Sequence, residues 1–127
     1  MLSKQRTRDC LDRLGIATRL DAEGDLCFVL RADDNFGHDI NVFIVTKDPQ
    51  LMILAKPVDY TPKEDIYRFA NHINGNCNYP TAIVRDGELF LTYAFTITED
   101  VSDDYLRDDC LRPIISSIWN CAVEFLN

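Results

Sequence analysis

The apolar positions along the chain change period several times, and each change predicts a new secondary-structure element. Near the N-terminus, Thr7, Cys10, Leu11 and Leu14 share one helical face, and Gly15 then ends the pattern as a left-handed C-cap. Three short apolar stretches follow, rich in β-branched and aromatic residues and separated by turn-forming sequences. They cover residues 26–31, 40–46 and 51–56. The pattern predicts one helix and then three strands in a meander.

Helical spacing returns after the third strand. We expect this helix to begin at Thr61 as N-cap, with Pro62 in the first helical position and Glu64 completing a capping box. Its apolar stripe runs to the dipeptide Asn74-Gly75, which is typical of a helix end. The segment therefore predicts a second helix with one apolar face.

The last third of the chain predicts a hairpin and a long helix. In TAIVRDGELFLTYAFTI, Asp86-Gly87 is a two-residue turn between two alternating stretches, which indicates a β-hairpin. Ser102 is the expected cap of the final helix, whose apolar positions keep helical spacing to the end. Pro113 interrupts this helix, so we expect a kink or break near Arg112.

The order of elements predicts the fold class. Helix, three strands, helix, two strands and helix make an α+β domain, written α-β(3)-α-β(2)-α, with a five-stranded antiparallel sheet under one layer of helices. Residues 1–127 suit a single domain with one core, and no repeat or linker interrupts them.

Charge and cysteine content narrow the classes of partner. The net charge is −8, which disfavours binding to nucleic acid or to an anionic membrane surface. We find neither a secretory signal nor an apolar stretch long enough to cross a bilayer. The five cysteines form no CxxC pair, so reduced thiols in a cytoplasmic protein are the expectation.

The densest group of chemically versatile residues is FANHINGNCNYP, residues 69–80. It contains His72 and Cys77, but no third residue that would orient a catalytic pair is evident. We interpret the segment as a helix end followed by a turn, because asparagine tolerates left-handed backbone and bonds its own turns. The sequence predicts no catalytic residue.

Two acidic segments offer weak metal or partner signals. DDNFGHD fails the EF-hand pattern, since counting from Asp33 the glycine comes fifth and Ile44 stands twelfth, so a turn is expected. The second segment is interpreted as a solvated helix face, with a basic partner as the alternative. Its acids are Glu99, Asp100, Asp103, Asp104, Asp108 and Asp109. No metal-binding or cofactor-binding residue is predicted, because the standard motifs are missing from the sequence.

The strands carry apolar residues on both faces, more than one helical layer can cover. In residues 88–97 one face holds Leu89, Leu91, Tyr93, Phe95 and Ile97, which we expect to lie under the helices. If the sheet is covered on one side only, its opposite face exposes an apolar patch, and such patches often mark protein interfaces. The alternative is that long loops or a folded-back terminus cover this face. The partner-binding residues predicted for it are Phe43, Val45, Leu54 (or its neighbour Met52) and Phe90.

The order of elements also resembles a family. The helix ending in Asn71 and Asn74, the hairpin RDGELFLTY and the long last helix are similar to YbjN-like proteins, described as bacterial sensory transduction regulators. Their fold is similar to that of type III secretion chaperones. The resemblance implies helices on one sheet face and a strand order of 1-2-3-5-4. It also implies an acidic dimer that binds segments of partner proteins, and it supplies no catalytic residues. Pro113 departs from the pattern.

The sequence thus predicts a non-enzymatic cytoplasmic module that binds a protein partner or an amphipathic segment, has a regulatory or chaperone-like role and forms a homodimer. The alternative is a small-molecule-binding protein or an enzyme. It would need a pocket between helices and sheet, lined by groups such as Tyr67, Arg68, Asn71 and His72.

Overall fold

The computed structural model describes residues 1–62 and 64–127, which form three helices and six strands. Helix α1 is Lys4–Arg13 and α2 is Ile66–Asn76. Helix α3 is a continuous helical run of four segments, namely α-helical Asp103–Tyr105, π-helical Leu106–Leu111, α-helical Arg112–Cys121 and π-helical Ala122–Leu126. The strands are β1 Arg19–Leu20, β2 Leu26–Leu30, β3 Ile40–Lys47, β4 Gln50–Pro57, β5 Thr81–Arg85 and β6 Glu88–Thr96.

All six strands belong to one sheet in the order β1-β2-β3-β4-β6-β5, and every neighbouring pair is antiparallel. The α+β class with a single antiparallel sheet is therefore confirmed. The predicted number of five strands is wrong, because Arg19–Leu20 adds a short edge strand that pairs with Cys27 and Leu26. Two residues are too few to show a period-2 pattern in the sequence, so this strand can be identified only from its pairing with β2.

Helix α1 ends as its sequence predicts. Gly15 has φ +78°, which is a left-handed conformation that suits glycine. The N–H of Ile16 then donates to the carbonyl of Leu11 at 2.9 Å, so a terminal carbonyl of the helix is satisfied.

Helix α2 begins and ends later than predicted. Its N-cap is Asp65, whose carboxylate accepts the N–H groups of Tyr67 and Arg68, each at 3.1 Å. The predicted N-cap at Thr61 is therefore wrong. The helix begins after Asp65, four residues later, because the carboxylate of Asp65 satisfies two N–H groups that have no partner within the helix. Lys63, inside the predicted first turn, lies outside the described residues. At the other end, the helix continues through Gly75 to Asn76.

The hairpin between β5 and β6 has the predicted two-residue turn. Asp86 and Gly87 both have positive φ, +53° and +77°. Backbone of this kind at both central positions matches the right-handed twist of the flanking strands. The hairpin prediction is thus confirmed.

Pro113 does not break α3. Ser102 caps the helix as predicted, its hydroxyl accepting the N–H of Tyr105 at 3.1 Å. The disturbance takes the form of the π-helical segment that precedes the proline, where the N–H of Arg112 donates to the carbonyl of Arg107, five residues earlier. A wider turn of this kind rearranges the bonding around a proline while the chain stays helical.

The core lies between the helices and one face of the sheet. Alternate residues of β3 and β4 are buried, and they belong to the same apolar cluster as helix residues such as Leu11, Ile73 and Ile118. The strand residues of this cluster include Ile40, Val42, Ile44, Leu51, Ile53, Ala55, Leu89 and Leu91. The face predicted for β6 is therefore the one that meets the helices, which leaves the opposite face without a helical layer.

Candidate protein-binding face

The candidate site is a block of apolar side chains on β3 and β4. In the antiparallel register Phe43 lies opposite Leu54, and Val45 lies opposite Met52. Opposed residues project to the same side of a sheet, and so do residues two apart on one strand. These four side chains therefore form one continuous apolar block, which is called the open face below.

The exposure of neighbouring residues shows that the helices leave the open face uncovered. Met52 is 41% exposed, whereas Ile53 beside it is 0% exposed. Phe43, Val45 and Leu54 are half-buried. Three of the predicted partner-binding residues thus lie together on an accessible surface.

Charged residues border this apolar floor. The open face lines a cavity of about 560 Å³ that Asp21, Glu23, Asp25 and Arg85 also line. The acids lie on the loop between β1 and β2, and Arg85 ends β5, so they come from opposite edges of the sheet. The carboxylate of Asp21 accepts the N–H groups of Glu23 and Asp25, both at 2.9 Å, which fixes the conformation of the acidic loop.

The fourth predicted residue, Phe90, lies apart from this cavity. It pairs with Ile83 on the β5–β6 side of the sheet and is half-buried. Beside it, Lys56 forms an ion pair with Glu88 at 2.7 Å. The structure therefore places Phe90 on the same side of the sheet as the open face but does not bring it into the same depression.

Sequence patterning missed the charged border. DAEGD, residues 21–25, reads as an ordinary turn, and Arg85 as the last residue of a strand. Their common cavity depends on strand order, which places the β1–β2 loop and the end of β5 at opposite edges of one face. The density of acids in the loop is the signal that could have indicated a charged surface.

The segment FANHINGNCNYP forms the end of α2, as predicted, and the residues that follow it. His72 is on the exposed side of the helix. Its ring packs against the ring of Phe125 in a T-shaped arrangement, with 6.0 Å between the two ring centroids. Asn74 and Asn76 are helical and bond other groups: Asn76 donates to the carbonyl of His72 at 2.8 Å. None of the asparagines in residues 69–80 has a positive φ, so the helix ends without a left-handed asparagine.

Cys77 lies near a second thiol, and its own thiol bonds a backbone carbonyl. It is the extended residue that ends α2, and its Sγ lies 3.1 Å from the carbonyl oxygen of Tyr79. The thiol of Cys121 in α3, which is 3% exposed, lies near it. Burial, and then the neighbouring thiol of Cys77, raise the pKa of Cys121 to about 12. A thiol with such a pKa is protonated at neutral pH and is a poor nucleophile.

The residues proposed for a pocket between helices and sheet do not face the sheet. Tyr67, Arg68, Asn71 and His72 are all exposed on the outer side of α2. Phe69, Ala70 and Ile73 form its buried side. A pocket lined by those four residues is therefore wrong for this helix, because they point away from the core.

The acidic segments are occupied by contacts within the chain. In DDNFGHD the carboxylate of Asp33 accepts the N–H groups of Asn35 and Phe36, at 2.7 and 3.1 Å, which confirms the predicted turn. Phe36 is 1% exposed and anchors the loop in the core. Across residues 1–62 and 64–127, no group of three or more His, Cys, Asp or Glu side chains is placed to hold a metal ion.

The acids at the start of α3 pair with arginines. Asp103 contacts Arg6 of α1 at 2.5 Å, and Asp108 contacts Arg107 at 2.7 Å. In each case the hydrogen bond from the guanidinium lowers the pKa of the carboxyl below its ordinary value. Since Asp103 joins α3 to α1, part of this acidic segment serves the packing of the helices.

Comparison with known proteins assigns no family to the chain. No protein-family model matches it, and no curated protein matches it. Among the described residues, no helix combines the length and apolar content that crossing a membrane requires. The similarity to YbjN-like proteins and to secretion chaperones stays a prediction.

Proposed function

We propose that this chain is a non-enzymatic protein-binding module whose open face takes an apolar surface of another protein chain. The observation that carries the proposal is the exposure of Met52, at 41%, within a continuous apolar block formed with Phe43, Val45 and Leu54. An apolar block left in water costs free energy, and burying it against a partner recovers that free energy.

The composition of the surface favours a protein over a small ligand. Protein interfaces combine an apolar centre with a polar, charged rim, and here the apolar block is bordered by Asp21, Glu23, Asp25 and Arg85. The net charge of −8 is also unfavourable for a nucleic acid at the same surface.

The finer fold and the cellular role belong to the same proposal. Strands β2 to β6 follow the order β2-β3-β4-β6-β5, which supports the chaperone-like fold that the resemblance implies. In such a fold the uncovered sheet face is available to a partner, so a regulatory or chaperone-like role in the cytoplasm is consistent with the geometry. The resemblance to YbjN-like proteins adds the role of a regulator.

A site-specific cross-linking experiment tests the proposal. A photoreactive amino acid replaces Met52 in one variant and Tyr67 in another, and each is irradiated in cells of the source organism. Tyr67 is 66% exposed on the outer side of α2, so it controls for exposure alone. We expect protein adducts at position 52 that are missing at position 67.

Two results would contradict the proposal. Adducts of equal yield at both positions would show that position 52 captures neighbours without selectivity. An absence of adducts at position 52, with the variant folded by circular dichroism, would remove the open face as a binding surface.

A further inference from the structure

We infer that the occupant of the open face is a second copy of this chain, in a two-fold dimer that sets each acidic β1–β2 loop against Arg85 of the other copy. The inference rests on the proposed function and specifies its partner. It follows from the charges that border the apolar block.

These border charges are free to meet a partner. Glu23 and Arg85 are exposed, and Asp25 is half-buried. In the described part of the chain none of the three forms an ion pair, since Glu88, which pairs with Arg85 across the β5–β6 ladder, binds Lys56 at 2.7 Å. Unpaired charges of both signs therefore lie around one apolar floor.

A two-fold axis can place the acidic loop of one copy opposite Arg85 of the other copy. In a dimer of this kind, if one residue contacts a second residue across the interface, the reverse contact is made as well. An axis between the two sheets, perpendicular to the line from the acidic loop to Arg85, sets each loop against the other copy's Arg85. The same rotation stacks the two open faces on each other, so apolar burial and charge pairing occur together.

Other occupants satisfy the border less well. A basic segment would be attracted by Asp21, Glu23 and Asp25 but repelled by Arg85, and an acidic segment would meet the opposite conflict. An axis that runs along the line between the two borders would set acids against acids. A second copy brings both signs of charge to the border at once, and the border charges select one orientation of it.

A charge-swap experiment tests the inference. Sedimentation equilibrium is measured for the wild type, for Glu23→Arg, for Arg85→Glu and for an equimolar mixture of the two variants. We expect a wild-type dimer and a Kd raised about tenfold or more in each variant, because each faces like charges twice across the axis. In a heterodimer of the two variants, the two reversed charges face each other and have opposite signs, and the native Arg85 of one variant faces the native Glu23 of the other. We therefore expect the heterodimer to form with near wild-type affinity.

Matched variants control for net charge. Arg68→Glu and Glu99→Arg change the charge of the chain by the same amounts, at exposed positions that do not line this cavity. They should leave the Kd unchanged, and circular dichroism should show that all variants are folded.

The outcomes are distinct. A wild type that sediments as a monomer overturns the inference. So does a dimer whose Kd is the same in both charge-swap variants as in the wild type, or a mixture whose Kd stays as high as that of the single variants. A monomeric wild type that still gives adducts to a different protein at position 52 would refute the dimer and keep the proposed function. Absence of any adduct at position 52 would refute both.

Discussion

The side-chain amide of Asn74 pairs with the backbone of Ala82 in both directions. Its Nδ2 donates to the carbonyl of Ala82 at 2.8 Å, and its Oδ1 accepts the N–H of Ala82 at 2.7 Å. Strand β5 is an edge strand, and edge strands expose backbone groups that can pair with other chains. Asn74 thus joins the last turn of α2 to the sheet and occupies part of that edge.

Replacing Asn74 by alanine should destabilise the fold. The substitution removes two hydrogen bonds and leaves the backbone of Ala82 without this partner, so we expect the free energy of unfolding to fall by about 1–3 kcal/mol. Asn71→Ala, on the exposed side of the same helix, is the control for helix propensity and should change stability little. Urea denaturation of the two variants gives the comparison, and equal losses would contradict the role assigned to Asn74.

Two adjacent residues of β4 should respond very differently to truncation. Ile53 is 0% exposed and Met52 is 41% exposed. Ile53→Ala should lower the free energy of unfolding by about 2–5 kcal/mol, because it removes buried methyl groups and leaves a cavity. Met52→Ala should cost clearly less, under about 1 kcal/mol for the monomer.

Denaturation is measured at protein concentrations low enough to keep the chain monomeric, since a dimer would add its binding free energy to the result. A loss at Met52 as large as that at Ile53 would show that the open face is covered in solution.

The cysteines should separate into one accessible thiol and four protected ones. Cys77 is half-buried, whereas Cys10, Cys27, Cys110 and Cys121 are buried. Because the pKa of Cys121 is raised to about 12 by burial and then by Cys77, its thiol stays protonated over the working range of alkylating reagents. We expect iodoacetamide to modify one cysteine in the native protein, at a rate close to that of free cysteine.

Cys77→Ser should abolish this labelling, and unfolding should expose all the remaining thiols. Alkylation of Cys77 much faster than that of free cysteine would contradict its interpretation as a helix-end residue, since it would indicate an activated thiolate.

The contact between Arg6 and Asp103 should be visible in an NMR titration. The hydrogen bond from Arg6 lowers the pKa of Asp103 below its ordinary value of 3.8. The contact therefore stabilises the folded chain above that ordinary pKa, and this stabilisation is lost as pH falls through the lowered value. In Arg6→Ala the pKa should rise toward 3.8; an unchanged value would show that the pair does not form in solution.

The sequence by itself determined most secondary-structure elements, because their signals are local. Gly15, the Asp86-Gly87 turn and the Ser102 cap each act through their own backbone conformation or through residues a few positions away. Strand alternation likewise depends on period alone, which is why Phe43, Val45 and Leu54 could be assigned to one uncovered face.

Tertiary structure decided what depends on residues far apart in the chain. The start of α2 at Asp65 reflects a competition between two good caps, which local preference does not resolve. Strand β1 forms only through its pairing with β2. The side chain of Asn74 can bond the backbone of Ala82 only when α2 lies against β5. The charged border of the open face arises in the same way, because Asp21–Asp25 and Arg85 meet one cavity through the order of the strands. Local sequence fixes which face of a strand is apolar, whereas only the assembled sheet determines which distant charges surround that face.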